Sequence, residues 1–214
     1  MKLLPALLAE FIGTFTLIFV GVFAIHNANG DLLLVALAHG LAIAVMVSAF
    51  GHVSGGHLNP AVTLGALVGG KIPLADGALY IVAQLLGATV AAFGAASIVS
   101  PEMVAAGTPV LGEGVSVGAG IALEAILTFF LVTVVFGTGI DGRGPKIGGL
   151  AIGLTVALDI MAGGPITGAA MNTARTFGPA VVSGTWDNHI VYWIGPLLGG
   201  ALAGLIYSRV MEKK

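Results

Sequence analysis

Residues 54–65 read Ser54-Gly55-Gly56-His57-Leu58-Asn59-Pro60-Ala61-Val62-Thr63-Leu64-Gly65. Residues 167–178 read Thr167-Gly168-Ala169-Ala170-Met171-Asn172-Thr173-Ala174-Arg175-Thr176-Phe177-Gly178. The two stretches align without gaps at an offset of 113. Each runs through small residues to an Asn and then into an apolar stretch, Asn59–Gly69 or Asn172–Val182. At roughly 11 residues these stretches fall short of the ~20 that a helix needs to cross hydrocarbon. They read either as re-entrant half-helices or as amphipathic helices on the membrane surface. Backbone dipping to membrane depth is tolerated only inside protein or beside a wet cavity.

The repetition extends outward from these motifs. Glu10 sits in Ala-Glu-Phe-Ile-Gly-Thr-Phe and Glu124 in Leu-Glu-Ala-Ile-Leu-Thr-Phe. Gly40-Leu41 and Gly153-Leu154 each precede their Asn by the same 19 residues, and Tyr80-x3-Gln84-Leu-Leu-Gly recurs as Tyr192-x3-Pro196-Leu-Leu-Gly. Six stretches are long and apolar enough to span: Leu3–Ile25, Leu32–Phe50, Gly77–Val99, Ser116–Gly137, Ile147–Gly163 and Ile190–Ser208. No ten-residue alternation of the barrel kind appears. The expected fold is an all-α membrane protein of six transmembrane helices plus two re-entrant half-helices. It forms a single domain over 1–214, with inverted repeats of about 1–100 and 116–214. Three crossings per repeat force the second copy in from the opposite side.

Composition supports a lipid-facing surface. Charged residues are 8% and apolar ones 57% of 214, and mean hydropathy is +1.05. Soluble domains carry about 25% charged residues, so a soluble globular enzyme is excluded, and the same numbers exclude disorder. The net charge of −2 excludes nucleic acid as a partner. With no cysteine, no disulfide, thiol nucleophile or thiolate metal site exists. The first apolar run carries Glu10 and no small-residue cleavage site, so it reads as a retained span. Lys2, Lys71, Arg143, Lys146, Arg209, Lys213 and Lys214 fall on one side and only Arg175 on the other, which predicts cytoplasmic termini.

Inverted half-helices would bring two Asn-capped, positive N-termini together at the midplane. The Asn59 and Asn172 carbonyls can cap their helices while their amide groups face a cavity. A water passing there meets two donors, and the positive ends repel cations, including hydronium. This needs no metal, cofactor or nucleophile.

Through Ser-Gly-Gly-His-Leu-Asn59-Pro60-Ala61-Val-Thr and Met-Asn172-Thr173-Ala174-Arg175-Thr-Phe-Gly-Pro-Ala, the chain resembles the aquaporin (major intrinsic protein) family along essentially its whole length. The resemblance implies six tilted helices and two half-helices, a homotetramer in the lipid bilayer with one pore per subunit, and passive movement of water and small neutral solutes. It also implies an outer constriction of His39, Ile160, Ala169 and Arg175, a set most like that of plant vacuolar (tonoplast) aquaporins, some of which pass ammonia or urea. Thr176, Ala180 and Tyr192-Trp193 resemble the water-type rather than the glycerol-type pattern. The second motif departs from the family in having Thr173 where Pro is usual. That keeps the Asn cap but is expected to loosen the start of the half-helix. Short tails and loops point to a prokaryotic source and a cell inner membrane.

Other readings stand beside these. A glycerol or urea facilitator is the alternative channel, and a non-conducting structural membrane protein would show no osmotic permeability. A proton-coupled transporter would use Glu10 and Glu124 as intramembrane relays; their symmetry points instead to bracing of the re-entrant loops. His57 reads as a loop brace that presents a backbone carbonyl to the pore, not a metal ligand. His39 is a pore residue or a buried core histidine, and Arg175 a pore residue or an interfacial side chain. Asp159, where related vacuolar members carry Asn, either attracts Arg175 or His39 and makes permeability pH-sensitive, or snorkels to the outer interface. Phe11, Phe15 and Phe19 read as a lipid or helix-packing stripe.

Overall fold

The computed structural model describes residues 3–212, which leaves Lys2, Lys213 and Lys214 outside it. In chain order the helices are α1 (Leu3–Asn27), α2 (Leu32–Ser54), α3 (Pro60–Val68), α4 (Leu74–Ile98), α5 (Pro101–Ala106), α6 (Val117–Val135), α7 (Gly148–Thr167), α8 (Thr173–Ser183) and α9 (Val191–Ile206). The helices α6 and α9 run on into π-helical turns at Phe136–Ile140 and Tyr207–Met211. Among the described residues, six helices are long and apolar enough to cross a membrane. The two short apolar segments are separate helices, α3 and α8, within a residue of the expected bounds.

The ends of the spans are set by local chemistry. Asp31 caps α2 by accepting from the backbone N–H groups of Leu33 and Leu34. The helices α2 and α7 continue one turn beyond their expected ends, then stop at Gly55 (φ 92°) and Gly168 (φ 80°), both in the left-handed region open to glycine. The last turn of α7 accommodates Pro165. The α5 helix was not expected; Ser100 caps it by accepting from Met103 N–H.

Tight helix crossings follow from small residues, which let backbones approach. The most extensive pairings are α2 with α7, α6 with α9 and α1 with α4. A side chain at Gly40 would strike the Gly153 backbone across the α2–α7 contact. Gly87 lies on the Phe11 backbone and Gly199 on that of Ala125, so α1–α4 and α6–α9 close in the same way. Gly65 faces Gly200 where α3 meets α9, and Gly178 faces Ala88 where α8 meets α4. The phenylalanines of α1 stack on one another and on Phe23, with centroids 6.5, 5.6 and 4.7 Å apart, and Phe15, Phe19 and Phe23 pack against the core. Outward faces carry rows of leucine at helical spacing, such as Leu37 and Leu41 on α2 and Leu150, Leu154 and Leu158 on α7.

At the end of the molecule shared by the loops before α4 and α7, Lys71 pairs with Glu212. Arg143 grips Asp141 (Nη2 to Oδ2, 2.5 Å) and donates to the Met211 carbonyl at 2.9 Å. These contacts put Lys71, Arg143 and the chain's last described turn on one face.

Candidate functional site

The half-helices begin at Asn59 and Asn172, both extended and both 3% exposed. Asn59 Oδ1 accepts from Ala61 N–H at 2.8 Å, and Asn172 Oδ1 from Ala174 and Arg175 N–H at 3.0 and 3.3 Å. The side-chain carbonyls thus satisfy N–H groups that a helix start leaves open. The amides reach across the centre: Asn59 Nδ2 donates to the Met171 carbonyl (2.8 Å) and Asn172 Nδ2 to the Leu58 carbonyl (2.9 Å). A carboxamide carries two N–H donors, so this exchange uses one from each Asn. The other remains for the lumen that both residues line.

The loops before the caps share one conformation. Gly55, Gly56 and Leu58 have positive φ, and so do Gly168, Ala169 and Met171. Left-handed backbone costs roughly 1–2 kcal/mol for a residue with a Cβ, and a buried carboxylate holds each loop in place. Glu10 accepts from Ser54 Oγ (2.6 Å), His57 N–H (2.9 Å), Leu58 N–H (2.6 Å) and Gln84 Nε2 (2.7 Å). Glu124 accepts from Thr167 Oγ1 (2.7 Å), Ala170 N–H (2.9 Å) and Met171 N–H (2.7 Å). Tyr80 and Tyr192 donate to the carbonyls of Ser54 and Thr167 at 2.9 and 2.8 Å. The recurrence of these tyrosines was visible in the sequence, but their partners were not. Gln84 has no counterpart in the second half, where Pro196 stands.

Between the loops runs a narrow lumen. The space open to a water centre is about 30 Å³, against ~10–15 Å³ for one water, so it admits a few waters in a row. Much of its lining is aliphatic, with Leu17, Ile43, Val62 and Val156 among the residues. The polar part of the lining comes from Asn59, Asn172, His57 and Arg175. It opens past His39, Ile160 and Arg175 into a vestibule of about 300 Å³. The structure therefore brings His39, Ile160, Ala169 and Arg175 to one cavity.

Arg175 is 6% exposed, and its Nη1 donates to the Gly107 carbonyl at 3.0 Å. Among the described residues no carboxylate pairs with it. Gly107 ends α5, a helix without a hydrophobic run to betray it in the sequence. His57 lines the lumen, rests its ring edge on Tyr80, and has Nδ1 3.1 Å from Thr63 Oγ1. Among the described residues no cluster could hold a metal ion.

One expectation needs correction. Asp159 does not snorkel: it is 1% exposed, and neither oxygen has a hydrogen-bond partner among the described residues, so it holds neither Arg175 nor His39. Thr173 gives the α8 start a contact that the sequence did not suggest. Its hydroxyl donates to the Tyr192 carbonyl at 3.0 Å, a tie to α9 that Pro cannot make.

The major intrinsic protein family profile matches residues 1–207. Aquaporin TIP4-4 of Zea mays is 49% identical over 218 residues, covering 95% of this chain and 85% of that protein. Probable aquaporin TIP3-2 of Arabidopsis thaliana is 47% identical, covering 96% and 83%. The aquaglyceroporin of Plasmodium falciparum superposes with a TM-score of 0.88 at 25% identity, covering 99% of this chain and 98% of that one. The relatives are plant proteins, and the expected prokaryotic source is not borne out. With the profile match spanning nearly all of it, the chain belongs to the major intrinsic protein (aquaporin) family.

Proposed function

We propose that this chain is a passive water channel that excludes ions and protons and also passes ammonia. It is a channel and not an enzyme. The observation that carries the reading is the meeting of two Asn-capped helix starts inside a narrow lumen with room for only a few waters in a row. A water there gives its oxygen to the spare Asn donors, while the aliphatic lining offers nothing in exchange. Its hydrogens point away on both sides, which interrupts a proton wire. Arg175, unpaired by any described acid, adds a positive charge at the outer end of the lumen.

His39, Ile160, Ala169 and Arg175 form the selectivity filter in this reading. Ile160 gives an apolar wall, and Ala169 keeps the loop side small, which lowers the penalty for ammonia. Glycerol is larger and needs several aligned acceptors, and the water-type residues Thr176, Ala180, Tyr192 and Trp193 argue against it. Glu10 and Glu124 brace the loops. Both are fully buried, absent from the lumen wall and surrounded by donors, which favours bracing over a proton-coupled transporter. The chain is a single domain of two inverted repeats, about 1–100 and 116–214, and assembles as a homotetramer through its leucine-rich outer faces. The TIP-type relatives favour a tonoplast-type membrane over a bacterial inner membrane, with both termini on the cytoplasmic side.

Stopped-flow light scattering of proteoliposomes under osmotic shock tests this. Water permeability well above that of empty liposomes, with ammonia crossing and glycerol not, is the expected result. Vesicles that shrink no faster than empty ones would end the channel reading. Glycerol crossing as readily as ammonia would favour the facilitator.

A further inference from the structure

Gly21 lies buried in α1, one helix away from the residues assigned to the filter. What it faces is a filter residue: a methyl group there would overlap His39 Nε2 and stand 3.0 Å from both Cδ2 and Cε1 of the same ring. Carbon atoms in comfortable contact are about 3.5–4.0 Å apart. The His39 imidazole therefore occupies space that any other residue at position 21 would fill.

The opposite edge of the ring is also held. Nδ1 lies 2.8 Å from the Val35 carbonyl one turn earlier in α2. A carbonyl only accepts, so Nδ1 carries the hydrogen, and in the neutral ring Nε2 is a bare acceptor. His39 is 2% exposed and borders both the lumen and the outer vestibule. Its ring thus lies between a carbonyl on its own helix and the notch at Gly21, and the room beside it is the pore.

We infer that Gly21 is a specificity-determining position: the absence of a side chain there lets the His39 ring lie back against α1, and this sets the bore of the filter and the direction of Nε2. A side chain at position 21 pushes the ring into the channel, where so little space is open that a small displacement matters. The inference rests on the channel reading. It adds a residue of α1 to a filter otherwise drawn from α2, α7, the second re-entrant loop and α8.

Stopped-flow assays on proteoliposomes of wild type, Gly21→Ala, His39→Ala and the double variant test it, with water and ammonia as permeants. Gly21→Ala should lower water permeability by about threefold or more and shift the ammonia-to-water ratio. In the His39→Ala background the same change should have no effect, because the ring it displaces is gone. Wild-type flux and ratio in Gly21→Ala, or an equal loss in both backgrounds, would overturn the inference. If Gly21→Ala fails to fold, recovery of folded protein by His39→Ala supports it, and failure to recover means that the methyl meets something else. A wild type no faster than empty liposomes would instead remove the channel reading itself.

Discussion

Thr173 shows how a departure from a family motif can be offset locally. Pro at a helix start contributes a preset φ, whereas Thr173 contributes a hydrogen bond to the Tyr192 carbonyl on α9. A typical bond of this kind is worth about 1 kcal/mol. Thr173→Val, which keeps the shape and loses the hydroxyl, should therefore lower stability by about 1 kcal/mol. Thr173→Pro should change it by less, since one device replaces the other; thermal unfolding in detergent reads both. Asp159 is the opposite case, a buried carboxylate with no partner among the described residues. An unpartnered charge costs more than a neutral amide in the same place, so Asp159→Asn should keep or raise the thermal midpoint. Water permeability of wild type and variant should stay flat between about pH 5 and 8. A pH-dependent flux that the Asn variant abolishes would make Asp159 a switch after all.

At the scale of elements, the re-entrant segments were legible because the chain contains them twice. A short apolar helix with an Asn before it is ambiguous once and informative when repeated with Glu, Gly and Tyr at matching distances. The bond pattern of the carboxylates then follows from strain: left-handed residues that carry a Cβ precede each Asn, Leu58 in the first loop and Ala169 and Met171 in the second, and something must hold them. Glu124→Gln puts an amide N–H among donors where an oxygen accepted. With charge-assisted bonds worth roughly 1.5–3 kcal/mol each, the loss should be about 3 kcal/mol or more. Folded yield and thermal midpoint should fall, with no solute accumulation against a proton gradient in wild type or variant. Proton-driven uptake by wild type, lost in a stable Glu124→Gln protein, would restore the relay. The α5 helix and the π-helical turns were not legible. The first has no apolar period, and the second depend on where α6 and α9 end against the loop at Asp141. Gly21 is a further example: nothing nearby in the sequence ties it to His39, because the contact joins two helices.

For the whole molecule, the latch between Asp141, Arg143 and the last described turn joins the α6–α7 loop to the end of the chain. Hydrogen bonds from Arg143 hold the Asp141 carboxyl well below the usual carboxylate range. A depressed folded-state pKa contributes stability above the unfolded value, about 3.9, and loses it as pH falls through the folded one. The latch is therefore intact at neutral pH and yields only in strong acid. Asp141→Asn should free the final turn at pH 7, seen as faster proteolysis after Tyr207 or Arg209, with water permeability unchanged. Equal cleavage of wild type and variant would mean that the ion pair does not hold the segment.

The reciprocal bonds between Asn59 and Met171 and between Asn172 and Leu58 also constrain time. During synthesis the first re-entrant loop exists long before residues 171 and 172 leave the ribosome. Until then the Leu58 carbonyl and the Asn59 amide lack the partners they will have. Whatever the rest of the first half achieves by itself, the centre of the molecule cannot mature ahead of its second half. These contacts join residues more than a hundred positions apart in the chain, so the middle of the pathway is completed only after the whole first half of the wall around it has been made.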